Sequence, residues 1–136
     1  MSHKPVPSVT ISIIVPLYNE EGSLKVLHQQ IREELTAKEL EPYEILFIND
    51  GSKDSSLSIL KELQEVDPSI RIINFYRNYG KAAALATGFQ LCKGEYIVTM
   101  DADLQDDPKE ISRFIIMAEE KQLDLISGWK QKRYDT

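Results

Sequence analysis

Apolar and β-branched residues recur along the chain in five short runs: Val9 to Val15, Tyr43 to Ile48, Ile70 to Phe75, Tyr96 to Met100 and Leu123 to Ile126. Each has the length of a strand and is apolar at nearly consecutive positions, the pattern of a strand covered on both faces. Between the runs the apolar residues switch to helical spacing. They fall at Leu24, Leu27, Ile31 and Leu35, then at Leu57, Leu60 and Leu63, then at Leu85, Phe89 and Cys92, and finally at Ile111, Phe114, Ile115 and Ala118. The alternation β-α-β-α-β-α-β-α-β predicts an α/β fold: a mostly parallel sheet, right-handed crossovers, and helices on both faces. Asp107-Pro108-Lys109-Glu110 predicts the start of the fourth helix, with a capping Asp, a proline in the first helical position and a Glu three residues after the cap.

Composition narrows the picture. With 136 residues, 42% of them hydrophobic, the chain has material for one core and is too apolar for a disordered tail. Met1 to Ser8 reads as a loose lead-in and 9–136 as one folded unit. Sixteen basic residues against 22 acidic ones leave a net charge of −6, a poor electrostatic match to nucleic acid. A single cysteine, Cys92, cannot form an internal disulfide, and its place on the apolar side of the third helix makes it a core residue. No apolar stretch reaches the roughly 18 to 20 residues of a membrane span, and the N-terminus lacks the apolar segment of a signal peptide. A cytoplasmic setting is the expectation.

In a parallel sheet of this kind ligands collect where strands end at their carboxyl edge, so the strand exits are where chemistry is sought. In order these are Pro16-Leu17-Tyr18-Asn19-Glu20, Asn49-Asp50-Gly51-Ser52, Tyr76-Arg77-Asn78-Tyr79-Gly80-Lys81, Asp101-Ala102-Asp103-Leu104-Gln105 and Ser127-Gly128-Trp129-Lys130. Asp101-Ala102-Asp103 is the sharpest of them. In an extended segment residues two apart project to the same side, which would turn both carboxylates, and Gln105 beyond them, toward one ligand. An all-oxygen set suits Mg²⁺ or Mn²⁺, which bind one or two protein carboxylates and complete their shell with substrate phosphates.

Each exit also has a plainer reading. Asp101, Asp103, Asp106 and Asp107 could be solvated loop acids ahead of a helix, and Asn49-Asp50-Gly51-Ser52 has the composition of any β-α turn. Tyr18 offers a flat ring for a base and Glu20 an acceptor for ribose hydroxyls, whereas the alternative is a cap by Asn19 with Glu20 and Glu21 favouring a helix start. Gly80, Arg77 and Lys81 could attract phosphate at the third helix or be solvated charges. Lys130, Lys132 and Arg133 could reach an anion at the same edge or form a charged tail, and Trp129 could line an acceptor site or pack. The Walker and dinucleotide-binding glycine patterns are absent from the sequence, and His3 and His28 sit away from any Ser or Cys pairing of the triad type.

Taken together, Val15-Pro16-Leu17-Tyr18-Asn19-Glu20-Glu21, Asn49-Asp50-Gly51-Ser52, Arg77-Asn78-Tyr79-Gly80-Lys81 and Asp101-Ala102-Asp103-Leu104-Gln105-Asp106-Asp107-Pro108 resemble, in order and spacing, family 2 glycosyltransferases with the Rossmann-like GT-A fold. The resemblance runs from Val9 onward and is strongest to the polyprenyl-phosphate sugar transferases of the dolichyl-phosphate mannose synthase and bactoprenol glucosyltransferase type. It implies an inverting, metal-dependent transfer of a sugar from a UDP- or GDP-linked donor to an acceptor, a polyprenyl phosphate first and a glycan as the alternative. Pro16, Tyr18, Glu20 and Asp50 would hold the donor nucleoside. Asp101 and Asp103 would be the catalytic acids at the ribose, diphosphate and metal, Gln105 would join the metal, and Ala102 would lie against the donor through its backbone. Lys81 would help to hold the donor, and Lys130 stands where relatives often carry an Arg for the diphosphate, supplying a point charge in place of a planar fork.

Catalytic domains of that family continue past a fifth strand, so the resemblance further implies that this chain carries the donor-binding part, with weak transfer on its own and membrane contact only through parts beyond Thr136. Two other classes compete: a nucleotidyltransferase, which usually has a Gly-rich basic loop after its first strand where Pro16 to Glu20 stands, and a noncatalytic metal-binding α/β module.

Overall fold

The computed structural model describes residues 10–121. The expected lead-in, the fifth run Leu123 to Ile126, Trp129 and the basic residues Lys130, Lys132 and Arg133 lie outside the described residues. Within them the elements follow the expected order: β1 (Ile11–Leu17), α1 (Leu24–Ala37), β2 (Tyr43–Asp50), α2 (Ser56–Val66), β3 (Ile70–Phe75), α3 (Lys81–Leu91), β4 (Tyr96–Thr99) and α4 (Lys109–Lys121). The four strands form one parallel sheet in the order β3-β2-β1-β4. β1 and β2 each run two residues past their expected ends, because the exit residues Pro16-Leu17 and Asn49-Asp50 still pair with a neighbouring strand.

Alternation along the strands sorts the side chains between two faces. On one face Ile11, Ile13, Val15 and Leu17 of β1 and Ile45 and Phe47 of β2 pack with Leu24, Leu27, Ile31 and Leu35 of α1, Leu60 of α2, and Ile111, Ile115 and Ala118 of α4. These side chains are essentially excluded from water. On the other face Ile14, Leu46 and Ile48 meet α3 through Ala84. The helices therefore divide as the crossover rule requires: α1 and α2 lie on one face as the chain steps outward from β1 to β3, and α3 lies on the other as it returns to β4.

α3 departs from expectation in the face it buries. Leu85 and Cys92 are only partly buried and Phe89 is exposed, while Ala84 and Gly88 are the residues in full contact. The cause is a close approach: a Cβ on Gly88 would stand 2.5 Å from Ile14 Cγ2. Small residues therefore form the seam and larger ones are pushed to its flanks. Cys92 ends the helix in extended backbone, and its thiol donates to the Phe89 carbonyl at 3.3 Å. Burial, with the Glu44 charge nearby, pushes that thiol above its ordinary range, which disfavours the thiolate, and the side chain packs against the Ile14, Leu46 and Ile48 cluster.

One buried carboxylate sits inside a strand that reads as apolar. Glu44 is 3% exposed at the amino end of β2. It accepts hydrogen bonds from Ser12 Oγ on β1, from Lys93 N at 2.7 Å and from Arg71 Nη1 at 2.9 Å. Burial raises the Glu44 pKa, but those three donors outweigh it and hold the carboxyl below the ordinary glutamate range. A second buried pair, His28 with Asp67 at 2.7 Å, ties α1 to the turn after α2.

The carboxyl edge is where β1 loses one neighbour. β1 pairs with β2 as far as Leu17 with Asn49, but with β4 only as far as Ile14 with Thr99. The Ile14 carbonyl still accepts from Met100 N at 3.0 Å, and two residues on, at Pro16, the backbone faces the same side with no strand among the described residues to pair with. A proline costs no ladder bond there. Gly51, in the turn after β2, has φ +74, and a Cβ on it would come within 2.3 Å of the Arg77 carbonyl carbon. That close approach lets the β2 and β3 exits touch.

Two measurements check this account. Gly51→Ala meets backbone as well as strain at positive φ, so it lowers the unfolding free energy by more than about 1 kcal/mol in urea titration. A carboxylate whose folded pKa is depressed contributes stability above its unfolded pKa and loses it as pH falls through the folded value. The urea midpoint of the native sequence therefore drops as pH is lowered below the ordinary glutamate value of about 4.3, and Glu44→Gln shows a shallower drop over the same range.

Candidate active site

Four strand exits converge on one cleft at the carboxyl edge, over the gap between β1 and β4. It measures about 380 Å³ and is lined by Pro16, Leu17, Tyr18, Glu20, Asp50, Asn78, Gly80, Lys81, Asp101, Ala102 and Asp103. Eight of the ten residues expected at the site, Pro16, Tyr18, Glu20, Asp50, Lys81, Asp101, Ala102 and Asp103, are thus brought together. Gln105 is not among them: it lines a neighbouring hollow of about 530 Å³, between α1 and the loop before α4, with Glu33, Glu34 and Asp107. Lys130 lies outside the described residues.

The reason the two aspartates face one cleft differs from the expected one. β4 ends at Thr99, and Ala102 and Asp103 form a turn, followed by Leu104 at φ 67. The turn is clamped from three directions. The Asp101 amide donates to Asp106 Oδ2 at 2.9 Å, the Gln105 amide donates to Asp103 Oδ1 at 3.2 Å, and Ser23 Oγ donates to the Ala102 carbonyl at 2.6 Å. Asp107 does cap α4, its Oδ1 accepting from Lys109 N at 3.0 Å. The capping reading thus belongs to Asp107, while Asp101 and Asp103 line the cleft.

Lys81, the first residue of α3, reaches across and places Nζ 2.6 Å from Asp101 Oδ1. The lysine side chain is 60% exposed and the aspartate 30%, so the pair is screened by water and open to exchange. Asp50 is 4% exposed, and its two carboxylate oxygens accept from Tyr79 N at 2.7 Å and Gly80 N at 3.0 Å. Asn78 Nδ2 donates to the Asp50 carbonyl at 3.2 Å. On the rim, Arg77 lies 4.8 Å over the Tyr79 ring, which also meets Tyr76 and Phe75 edge to face. Hydrogen bonding from Tyr76, then Arg77, holds the Tyr79 phenol below its ordinary range.

The first exit is shaped by a residue expected only to cap. Asn19 sits at φ 53, its amide donates to Ser52 Oγ at 2.8 Å, and its Oδ1 accepts from Lys53 N at 2.8 Å. The Glu20 amide donates to Ser56 Oγ at 3.0 Å. Asn19 therefore laces the first exit to the second, and α1 begins only at Leu24. Ser23 is the residue that sequence reasoning missed, and Asn78 and Asp106 stood in the quoted motifs without the bonds that give them a role. Ser23 and Ala102 are 79 positions apart, and no local pattern announces their bond.

Chemically, the cleft offers the Asp101 and Asp103 carboxylates, the water-exposed Lys81 ammonium paired to Asp101, and the exposed Tyr18 ring. Among the described residues no three His, Cys, Asp or Glu are grouped to hold an ion alone. Asp101 and Asp103 still fit Mg²⁺ or Mn²⁺, because such ions take one or two protein carboxylates and fill the shell with phosphate and water oxygens.

Comparison with known proteins agrees with this architecture. The chain is 41% identical over 136 residues to the undecaprenyl-phosphate 4-deoxy-4-formamido-L-arabinose transferase of Pseudomonas fluorescens, a match covering 98% of this chain and 39% of that protein. It is 34% identical to the dodecaprenyl-phosphate galacturonate synthase of Rhizobium johnstonii, over 98% of this chain and 40% of that one. The chain thus spans about two fifths of the length of these relatives. Among solved structures, the mannosyltransferase PcManGT from Pyrobaculum calidifontis, in complex with GDP-Man and Mn²⁺, superposes with a TM-score of 0.69 at 23% identity, over 85% of this chain and 36% of that one. That likeness shows the fold, the α/β GT-A arrangement. Residues 12–136 match the Glycosyl transferase family 2 description, and with relatives this similar the chain belongs to that family.

Proposed function

We propose that residues 9–136 form the donor-binding part of an inverting, metal-dependent glycosyltransferase that moves a sugar from a UDP- or GDP-linked donor to a polyprenyl phosphate on the cytoplasmic side of a membrane. The observation that carries this reading is the meeting of Asp101, Ala102, Asp103 and Lys81 on one cleft at the point where the sheet loses its fourth strand. Relatives named for undecaprenyl and dodecaprenyl phosphates support a lipid-phosphate acceptor over a glycan. The crossing cation and the paired acids support a diphosphate ligand over a noncatalytic module.

In this reading Pro16, Tyr18, Glu20 and Asp50 form the nucleoside side of the cleft, with the Tyr18 ring, 42% exposed, free to lie against a base. Asp101 and Asp103, together with Gln105 from the adjacent hollow, would hold Mg²⁺ or Mn²⁺. When bound, the ion supplies Lewis-acid neutralisation of the departing nucleoside diphosphate. Lys81 would exchange its partner, leaving Asp101 for a phosphate oxygen, and the family resemblance assigns Lys130 a second point charge on the diphosphate. Ala102, pinned through its carbonyl by Ser23, keeps the backbone of the turn against the donor. The acceptor attacks the sugar carbon from the face opposite the diphosphate. A lipid phosphate is already anionic at neutral pH, so these residues need supply no general base.

Calorimetric titration of the chain with UDP-glucose and with GDP-mannose tests the reading. In the presence of Mn²⁺ one of the two binds, chelation of the metal weakens binding at least tenfold, and Asp103→Asn does the same with metal present. Binding of a nucleoside triphosphate in preference to either nucleotide sugar, or of no nucleotide at all, would contradict it.

A further inference from the structure

β2 carries a buried carboxylate at each end of the face that α3 covers. That face reads Glu44, Leu46, Ile48, Asp50, with acid at both ends and apolar residues between. Each acid grips one end of the same helix. At the amino end of the strand Glu44 accepts from Lys93 N, and Arg71, which it also binds, donates to the carbonyl of Leu91, the last residue of α3. At the carboxyl end both oxygens of Asp50 are bonded to the backbone amides of Tyr79 and Gly80, the two residues before Lys81. Six strand residues span about 20 Å and an 11-residue helix about 16 Å, so one helix with its two turns fits between the two acids. α3 packs closely on the sheet through Ala84 and Gly88, so a shift of its first turn carries Lys81 with it.

We propose that Asp50 is a positioning residue: by bonding the Tyr79 and Gly80 amides it sets where α3 begins and so places the Lys81 ammonium at the phosphate end of the cleft, opposite Asp101. This role rests on the donor-site reading above and adds, to the nucleoside contact given to Asp50 there, a second task at the phosphate end of the cleft. The two amides that Asp50 binds belong to the residues leading directly into Lys81, so the carboxylate holds the start of α3, while each oxygen keeps a lone pair for the cleft. Gly80, at φ 102, provides the sharp turn that lets two consecutive amides point at one carboxylate. Asp50→Asn keeps the shape but replaces one acceptor oxygen by an amide donor facing a donor, so one of the two bonds is lost.

The test is a double-mutant cycle read with inorganic pyrophosphate and Mn²⁺, a ligand with no base or sugar. Asp50→Asn weakens pyrophosphate binding roughly tenfold in the native background, and by less than about twofold in a Lys81→Gln background, because the residue it positions is gone. An equal loss in both backgrounds, or a loss confined to ligands carrying a nucleoside, overturns the positioning role and makes Asp50 a direct ligand. Should Asp50→Asn not fold, the native chain still decides: the Tyr79 and Gly80 amide protons are protected from exchange and shifted downfield, and exchange at free-loop rates overturns the proposal. If the native chain binds neither pyrophosphate nor any nucleoside diphosphate, the donor site itself is refuted. If it binds both and the cycle is additive, only the role of Asp50 falls.

Discussion

The loss of β4 as a neighbour three residues before β1 ends is the constraint on which the site depends. Over those residues, about 10 Å of strand, β1 keeps β2 on one side and, among the described residues, has no paired strand on the other. The chain leaving β1 and the chain leaving β4 must diverge there, and the cleft is the volume between them. Pro16 suits this place because its missing N–H would have faced the vacant side. A longer β4 would fill the cleft with ladder, and a shorter β1 would remove its floor.

What lines the gap is then a matter of anchoring polar exits without dissolving the core beneath them. Each exit is held by bonds to another exit: Asn19 to Ser52 and Lys53, Asp50 to Tyr79 and Gly80, Ser23 to Ala102. These bonds satisfy backbone groups that would otherwise be stranded at the sheet edge. They also leave Lys81 and Asp101 as a solvent-exposed pair that a bound phosphate can part at small cost. The interior carries its own fastening at the opposite edge, where Glu44 gathers Ser12, Arg71 and Lys93, so α3 is secured at the end far from the ligand as well as near it.

Much of this was legible in the residues. The β-branched runs and the helical spacing between them fixed element order, because a strand covered on both faces has few other ways to look, and topology then dictated that the strand exits share an edge. That is why the exits carrying Pro16, Tyr18, Asp50, Lys81 and Asp101 group together before any geometry, while the choice of those residues within them rests on the resemblance to family 2 glycosyltransferases. The illegible parts are those that depend on long-range partners or on the size of a seam. Glu44 reads as one polar residue in an apolar run, and its partners lie 27 to 49 positions away. Phe89 reads as core by its spacing, but Gly88 brings α3 too near the sheet for a large ring to fit beneath it. Asp101 and Asp103 were matched to one ligand by assuming extended chain, whereas a clamped turn does the work, and that turn carries Gln105 toward the second hollow.

The central claim is that the acids leaving β4 share a divalent ion with the diphosphate of an activated sugar. Anomalous diffraction at the manganese edge, from crystals of the chain soaked with nucleotide sugar and Mn²⁺, addresses it directly. The account predicts a single strong anomalous peak bonded to an Asp103 oxygen and to diphosphate oxygens, with Lys81 moved off Asp101. A peak elsewhere on the surface, or donor bound with both aspartates turned away from its phosphates, would contradict it.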